Sequence, residues 1–396
     1  METKTAAIEM RNITKRFGPV LANDKVWLNI YRGEILALLG ENGSGKTTLM
    51  NMLSGIYFPD EGEIKIDGKE VVIRSPKDAF DNGIGMIHQH FKLVDVLTAA
   101  ENIVLGLPGK LDLKAASAKI REICDKYGFS VDPAQKIYDM SVSQKQTVEI
   151  VKVLYRGADI LILDEPTAVL TPQETDKLFA VLRNMRNDGK AIVIITHKMH
   201  EVEALSDRVA ILRHGQFIGD MLTAHTNAQE MTNMMVGHAV SLNIERPDPV
   251  DPKPRIEVKG LTVRSVDGIV KLDDVSFTAN SGEILGIAGI SGCGQKELLE
   301  AIAGLQTVES GSISYIEDDG SREELIGKDP LSIAELGVSL SFVPEDRLGM
   351  GLVGNMNLAD NMMLRSFRRG KSIFTDRRSP RALAESVVQE LSVSTP

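Results

Sequence analysis

The feature that most constrains the fold is a glycine-rich loop that the chain carries twice. Residues 38–50 read LLGENGSGKTTLM, and residues 287–299 read IAGISGCGQKELL. In the first copy, the apolar run GEILALLG predicts a strand before the loop, and GKTTLMNMLSG predicts a helix after it. Short β-branched runs then alternate with helix-length patterns. This alternation predicts an α/β fold with a mainly parallel sheet.

Other segments recur at the same spacing. IEMRNIT at residue 8 returns as IEVKGLT at residue 256, and the shift is roughly 249 residues throughout. Solenoid repeats are only about 20–50 residues long, so this period predicts two homologous domains. The intervening residues 244–255, IERPDPVDPKPR, carry four prolines, which favour an extended connector. We expect a first domain at 5–243, a Pro-rich linker at 244–255 and a second domain at 256–396.

Composition excludes several classes of protein. The chain has 396 residues, of which 43% are hydrophobic and 25% are charged, which is ordinary for soluble domains. The net charge is −10 and the basic residues are scattered, so no nucleic-acid partner is predicted. The longest apolar stretches have the length of strands, and the N-terminus lacks a signal-peptide core. We therefore expect a chain of the cytoplasm that does not cross a membrane.

The first loop, Gly40 to Thr47, matches the P-loop pattern at every fixed position. Its glycines let backbone N–H groups converge on phosphate oxygens at a helix N-terminus. Lys46 is expected to reach the β- and γ-phosphates, and the Thr47 hydroxyl to ligate Mg²⁺. A chance glycine-rich turn is the alternative, and the flanking strand and helix argue against it. The nucleotide-binding residues predicted here are Gly40, Glu41, Asn42, Gly43, Ser44, Gly45, Lys46, Thr47 and Thr48.

Two carboxylates end a later apolar run, ADILILDEP. Such a strand lies inside a sheet, and its carboxyl end is where α/β proteins place their sites. We expect Asp164 to hold Mg²⁺ through water and Glu165 to act as the general base. By itself, a strand that ends in Asp-Glu is more often a surface turn, but the P-loop upstream favours the functional interpretation.

Three further residues complete the predicted site. His197 follows the strand AIVIIT and is placed to bond the γ-phosphate and the water, although a lone histidine there is usually structural. Gln89 in MIHQHF is expected to ligate Mg²⁺ and sense the γ-phosphate. Its neighbours His88 and His90 point to the opposite face, so no metal site is predicted there. Phe17 is expected to stack on adenine, with a core phenylalanine as the alternative.

The order and spacing of these residues resemble an ABC-transporter ATPase along the whole first copy. Phe17 resembles its adenine-stacking aromatic, Gly40 to Thr47 its Walker A, Gln89 its Q-loop, Asp164 and Glu165 its Walker B, and His197 its switch histidine. More narrowly, MIHQHFKLVDVLTAAENIVLG, LYRGADILILDEPTAVLTPQE and VPEDR resemble the tandem ATP-binding subunits of bacterial importers for simple sugars and nucleosides. The nucleoside branch is the more similar.

The resemblance implies an ABC-type P-loop NTPase that binds ATP and Mg²⁺. Its sheet core would be mainly parallel, with antiparallel N-terminal strands and a helical subdomain. Glu165, His197 and Gln89 would be catalytic, and Thr47, Gln89 and Asp164 would hold the metal. The partners implied are two membrane permease subunits and, through them, an extracytoplasmic solute-binding protein. The chain would lie peripherally on the cytoplasmic face of the membrane.

Two motifs depart from the family pattern. Residues 140–144 read MSVSQ where the signature LSGGQ is expected. Ser141, Ser143 and Gln144 are still expected to contact a nucleotide held by the facing domain, but Val142 places a side chain where a glycine would give access. Thr171 stands at the usual aspartate of the D-loop, which removes one charged contact across the dimer.

The second loop keeps its glycines but lacks the side chains that would bind phosphate and Mg²⁺. Gln295 replaces the phosphate-binding lysine, and Lys296 replaces the Mg²⁺-ligating hydroxyl. Glu345 stands where Gln89 stands, and no aromatic matches Phe17. We expect a scaffold that does not turn over ATP. The resemblance implies a head-to-tail sandwich with one good and one degenerate pocket. The sequence stops before a second signature, so we expect a fragment with an incomplete second domain, weakly active alone and able to self-associate with ATP.

The sequence argues against two other functions. A non-transport tandem ABC protein acting on ribosomes or DNA should show two intact Walker A motifs and a basic linker or Cys-rich insert, which this sequence lacks. A non-catalytic nucleotide-binding regulator would lack Glu165 or His197, and both are present. An ATPase subunit does not touch the solute, so the sequence leaves the choice between sugar and nucleoside open, and the direction of transport rests on resemblance alone.

Overall fold

The structure is a computed structural model that describes residues 6–89, 91–239, 247–265, 267–289, 292–338, 341, 343, 349, 351–364, 366–367, 375–391 and 393. The chain divides into two compact units, Met1–Arg246 and Pro247–Pro396. The division falls within the Pro-rich segment at 244–255. Within the described ranges, no helix is both long enough and apolar enough to cross a membrane.

The first unit contains two sheets and eight α-helices among its described residues. Its strands are β1 (Ala6–Phe17), β2 (Val20–Tyr31), β3 (Ile35–Leu39), β4 (Glu61–Ile66), β5 (Lys69–Val71), β6 (Ile84–Ile87), β7 (Ile160–Asp164), β8 (Ala191–Ile195), β9 (Arg208–Arg213) and β10 (Gln216–Leu222). Its helices are α1 (Lys46–Leu53), α2 (Pro76–Asp81), α3 (Ala99–Val104), α4 (Leu113–Tyr127), α5 (Val142–Tyr155), α6 (Pro172–Asn187), α7 (Met199–Leu205) and α8 (Ala228–Val236).

The larger sheet has the strand order β10-β9-β3-β8-β7-β6. All its neighbouring pairs are parallel except β9 with β10. Every residue of β3, β7 and β8 is buried because both faces of these strands are covered. The smaller sheet is antiparallel, with the order β2-β1-β4-β5. The mainly parallel core and the antiparallel N-terminal strands predicted from the sequence are confirmed.

The register of the parallel strands aligns their carboxyl ends. Ile87 lies opposite Leu163, and Asp164 lies opposite Ile195. Leu38 in β3 also pairs with Ile195. The residues that follow these strands therefore emerge at one edge of the sheet, as expected for an α/β site.

The helical subdomain is formed by α3, α4 and α5. These helices pack around their own apolar cluster, which includes Ile103, Ile120 and Val148. Helix α3 begins with a capping box, in which Thr98 and Glu101 satisfy each other's backbone N–H groups. The subdomain thus has a separate core from the sheet beside it.

The second unit repeats the antiparallel part of the first. Its strands are β11 (Pro254–Arg264), β12 (Val270–Asn280), β13 (Ser310–Ile316) and β14 (Arg322–Glu324). Their order in the sheet, β12-β11-β13-β14, matches β2-β1-β4-β5 in the arrangement of corresponding strands. Residues 283–289, which correspond to β3, form no strand, and Ile284 is 92% exposed. A strand needs neighbours, and the described part of this unit has no counterparts of β8 and β9. The α-helices of the described part of this unit are α9 (Gln295–Ile302), α10 (Pro330–Glu335), α11 (Leu358–Met363) and α12 (Arg378–Glu390).

Candidate active site

The glycine-rich loop lies between β3 and α1, as predicted. Gly45 adopts a φ of 93° at the N-cap of α1. A Cβ atom there would lie 2.3 Å from the carbonyl oxygen of Ala22, so the position requires glycine. The buried side chain of Asn23 donates to the Gly45 carbonyl at 3.3 Å. The antiparallel sheet therefore supports the loop from behind.

Lys46 fills the centre of the loop and is only 7% exposed. Its ammonium donates to the carbonyl oxygens of Gly40 at 2.7 Å and Glu41 at 2.9 Å. Burial lowers the pKa of Lys46, while nearby carboxylates, chiefly Glu165 and Asp164, oppose that shift. The loop thus holds a buried positive charge beside a helix N-terminus, an arrangement that attracts phosphate.

Asp164 ends β7 as a buried carboxylate. Burial raises its pKa, and a hydrogen bond from the Thr47 hydroxyl opposes the rise. Thr47 follows Lys46 on α1, so this contact joins the first turn of that helix to the end of β7. The structure therefore brings together two of the three predicted metal ligands.

The other two predicted catalytic residues, Gln89 and His197, both contact Glu165. Its carboxylate accepts a hydrogen bond from the Gln89 amide at 3.2 Å, and Nδ1 of His197 lies 3.0 Å from the other carboxylate oxygen. Its backbone N–H donates to the carbonyl of Ile195 at 2.9 Å, and its φ is 47°. An uncommon left-handed residue at the end of a buried strand aims the side chain into this group.

Phe17 ends β1 and is 40% exposed. It packs edge-on against Tyr57, with ring centroids 5.0 Å apart. The Lys15 ammonium lies 5.6 Å from the Phe17 centroid and pairs with Asp60 at 2.9 Å. Phe17 lies outside the buried core clusters, and its side chain is accessible to solvent. Sequence reasoning missed Tyr57, whose signal is an aromatic residue four positions after the last residue of α1.

Comparisons with known proteins agree with this geometry. A family profile described as ABC transporter matches residues 23–168 and 272–394. The nucleoside import ATP-binding protein NupA of Lactococcus lactis is 45% identical over 393 residues, which cover 98% of this chain and 76% of the relative. The guanosine import ATP-binding protein NupO of Bacillus subtilis is 44% identical over 364 residues, covering 91% of this chain and 70% of the relative.

This chain belongs to the ABC transporter family. It is an ATP-binding protein and an ATPase of the ABC type, as predicted. Among solved structures, cbiO1 of Clostridium perfringens, part of an ABC transporter complex, matches with a TM-score of 0.51 and 26% identity. The match covers 59% of this chain and 97% of that one. The fold class and the family resemblance are therefore confirmed.

The signature segment of this ABC protein begins α5. Ser141 is its N-cap, and Ser141 and Gln144 form a capping box, with the Gln144 side chain accepting from the Ser141 N–H at 2.9 Å. Gln144 also donates to Gln135, and the Ser143 hydroxyl bonds Glu174. These bonds run within the helical subdomain and to α6. The exposed Val142 occupies the helix start where the family has glycine.

The threonine at position 171 has a structural role that sequence reasoning missed. It is the N-cap of α6 and forms a capping box with Glu174, whose N–H donates to the Thr171 hydroxyl at 3.3 Å. Threonine and aspartate both cap helices. The replacement therefore removes a charge and keeps the cap. The sequence TPQE already carried this signal.

The second loop keeps the glycine cap of the first but lacks its ammonium. Gly294 has a φ of 98° and caps α9, as Gly45 caps α1. Gln295 turns its amide onto the Ile287 carbonyl at 3.0 Å. Lys296 pairs with Glu300 at 3.7 Å on the surface of α9. Neither side chain brings a charge into the loop.

Some predicted features cannot be placed. His90 and Glu345 lie outside the described residues. Among the residues that are described, no cluster of three or more histidine, cysteine, aspartate or glutamate side chains is arranged to hold a metal. The predicted Mg²⁺ ligands are a different set, made of a hydroxyl, an amide and one carboxylate.

Proposed function

We propose that this chain hydrolyses Mg-ATP at its first domain to drive the import of a nucleoside or a simple sugar through membrane permease subunits. The observation that carries the proposal is the group at Glu165, where Gln89 and His197 both contact one carboxylate at the carboxyl edge of the sheet. A carboxylate placed beside a phosphate loop is suited to activating water for phosphoryl transfer.

The donor set fits Mg²⁺. Thr47 offers a hydroxyl, Asp164 a carboxylate and Gln89 an amide carbonyl, and hard oxygen ligands are those that Mg²⁺ prefers. When bound, Mg²⁺ supplies positive charge that offsets the charge developing on the phosphate oxygens. The contact between Thr47 and Asp164 holds two of these ligands together before any ion arrives.

The residues of the chain divide the remaining work. Lys46 exchanges its carbonyl partners for β- and γ-phosphate oxygens. Glu165 accepts the proton of the attacking water, and His197 bonds the γ-phosphate and holds the Glu165 carboxylate in place. Gln89 would help to hold the metal through its amide carbonyl and would sense the γ-phosphate. Phe17 stacks on the adenine ring.

The rest of the chain supports this half-site. We place the first domain at 5–243, the linker at 244–255 and the second domain at 256–396. The second loop acts as a scaffold because Gln295 is turned onto the backbone. A nucleotide held by a facing ABC domain is contacted by Ser141, Ser143 and Gln144. The facing domain can belong to a second copy of the chain, which associates with the first in the ATP-bound state.

The permease subunits dock on the helical subdomain. Its surface exposes apolar side chains at Val94, Val96, Leu105 and Leu111, with Val96 67% exposed. Because Gln89 lies just before this surface, docking is linked to the γ-phosphate site. The chain would act peripherally at the cytoplasmic face of the membrane, with an extracytoplasmic solute-binding protein delivering the solute to the permease.

The relatives named above are import proteins for nucleosides and guanosine, and a 41% identical relative from Haloferax volcanii is a glucose import ATP-binding protein. This favours a nucleoside and keeps a sugar as the second candidate. The test is the uptake of radiolabelled guanosine, ribose and glucose in cells that lack the gene. We expect uptake of one class to fall and to return with the wild-type gene but not with Glu165→Gln. Normal uptake of all three solutes in the deletion strain would contradict the proposal.

A further inference from the structure

A buried carboxylate outside the predicted site lies next to the segment that carries His197. Glu201, in the first turn of α7, is 4% exposed. One of its oxygens accepts from the Thr167 hydroxyl at 2.5 Å, and the other accepts from the Thr196 hydroxyl at 3.1 Å. The Lys198 ammonium pairs with it at 3.0 Å. We call these four residues the Glu201 cluster.

The cluster satisfies its own polar groups. The Thr196 hydroxyl accepts from the Lys198 N–H at 3.1 Å while it donates to Glu201. The Lys198 ammonium also donates to the Thr167 carbonyl at 3.1 Å and to its hydroxyl at 3.2 Å. A buried charge without partners is costly, so the Glu201 carboxylate depends on the hydrogen bonds that the other three members provide. Such a closed network holds its backbone segments in one arrangement.

Those segments carry the catalytic pair. Thr167 lies two residues after Glu165, and Thr196 directly precedes His197. The imidazole of His197 is itself largely exposed, so little packing fixes its orientation. Its distance to Glu165 therefore depends on how the two backbone segments are held. The cluster joins them through side chains, in addition to the sheet ladder below.

A second contact extends the cluster toward the signature helix. Gln146 of α5, which is buried, donates its amide to the Pro166 carbonyl at 2.5 Å. Pro166 lies between Glu165 and Thr167. The backbone after Glu165 is thus held on one side by α5 and on the other by α7.

We propose that Glu201 is a positioning residue that fixes His197 against Glu165 through the hydroxyls of Thr167 and Thr196. The inference rests on the proposed function of Glu165 and His197. The bonds of the cluster join its own members, whereas the loop that holds Lys46 is fixed by other contacts. Loosening the cluster therefore slows the hydrolytic step and leaves ATP binding unchanged.

The test is a pair of substitutions at Thr167 in the full chain. Thr167→Val removes the hydroxyl at nearly constant shape, and Thr167→Ser keeps it. We expect Thr167→Val to lower kcat about tenfold, or ~1.4 kcal/mol in barrier, with the Kd for ATP changed less than about twofold. Thr167→Ser should restore kcat. Thr223→Val is the matched control, because Thr223 is also buried and its hydroxyl bonds Ser206, at 2.8 Å, as its sole partner among the described residues.

A double-mutant cycle with His197→Ala decides whether the effect acts through the imidazole. In that background, Thr167→Val should lower kcat further by less than about twofold. A full tenfold loss in both backgrounds, or an unchanged kcat for Thr167→Val alone, overturns the positioning role. Normal turnover by His197→Ala overturns the proposed role of His197 itself. If circular dichroism shows that Thr167→Val is unfolded, Glu201→Gln is carried through the same cycle, with the same outcomes deciding.

Discussion

Replacement of Lys46 by alanine tests whether the two glycine-rich loops differ in their contribution to ATP binding. In the first loop, the ammonium makes two short bonds to backbone carbonyls, and ATP binding would exchange both for phosphate oxygens. Hydrogen bonds to charged groups contribute about 1.5–3 kcal/mol each. A net loss of about 2.7 kcal/mol corresponds to a hundredfold rise in Kd. We expect Lys46→Ala to weaken Mg-ATP binding by about that factor.

Gln295→Ala supplies the matched control. The Gln295 amide bonds a carbonyl within its own loop and brings no charge, so its removal should change the Kd by less than about twofold. Titration with a fluorescent ATP analogue, checked by filter binding, measures both variants. Equal losses from the two substitutions would refute the idea that only the first loop binds triphosphate strongly.

Two further predictions follow from the surface and caps of the first unit. Thr171→Ala should lower the free energy of unfolding by about 1 kcal/mol in urea titrations, whereas Thr171→Asp should keep the cap. Bonds from Thr171 lower the pKa of Glu174, so this stabilisation is present above the unfolded carboxyl pKa and is lost as the pH falls through the lowered folded value. Val96→Asp should reduce solute uptake at least tenfold, because Val96 lies on the proposed docking surface. The ATPase rate of the isolated chain should stay within about twofold of the wild-type rate. Normal uptake by this variant would contradict the placement of the docking surface.

Local rules account for what the sequence predicted correctly. The first loop was predictable because Gly45 and Lys46 each answer to a local requirement, a left-handed turn and a charge beside a helix N-terminus. The carboxyl edge was predictable because β7 and β8 read as buried strands that end in polar residues. The cap at Thr171 was missed, although it is equally local and the pattern TPQE was sufficient to find it.

Other features depend on contacts between distant parts of the chain. Asn23 supports Gly45, and Thr167 meets Glu201, only because strand order brings their segments together. The apolar run at 283–289 resembles β3 in sequence but forms no strand, since pairing depends on neighbours far along the chain. Hydrophobic periodicity predicts that a segment can form a strand, but it does not predict which strands will pair with it.

The measurement that tests the account most directly is phosphate release by Glu165→Gln, with ATP binding measured on the same sample. Glu165 is the residue on which Gln89 and His197 converge. Glutamine keeps its size and removes the base, so we expect ATP to bind as in the wild type while turnover falls at least about a hundredfold. Wild-type turnover by this variant would contradict the central claim that Glu165 activates the attacking water.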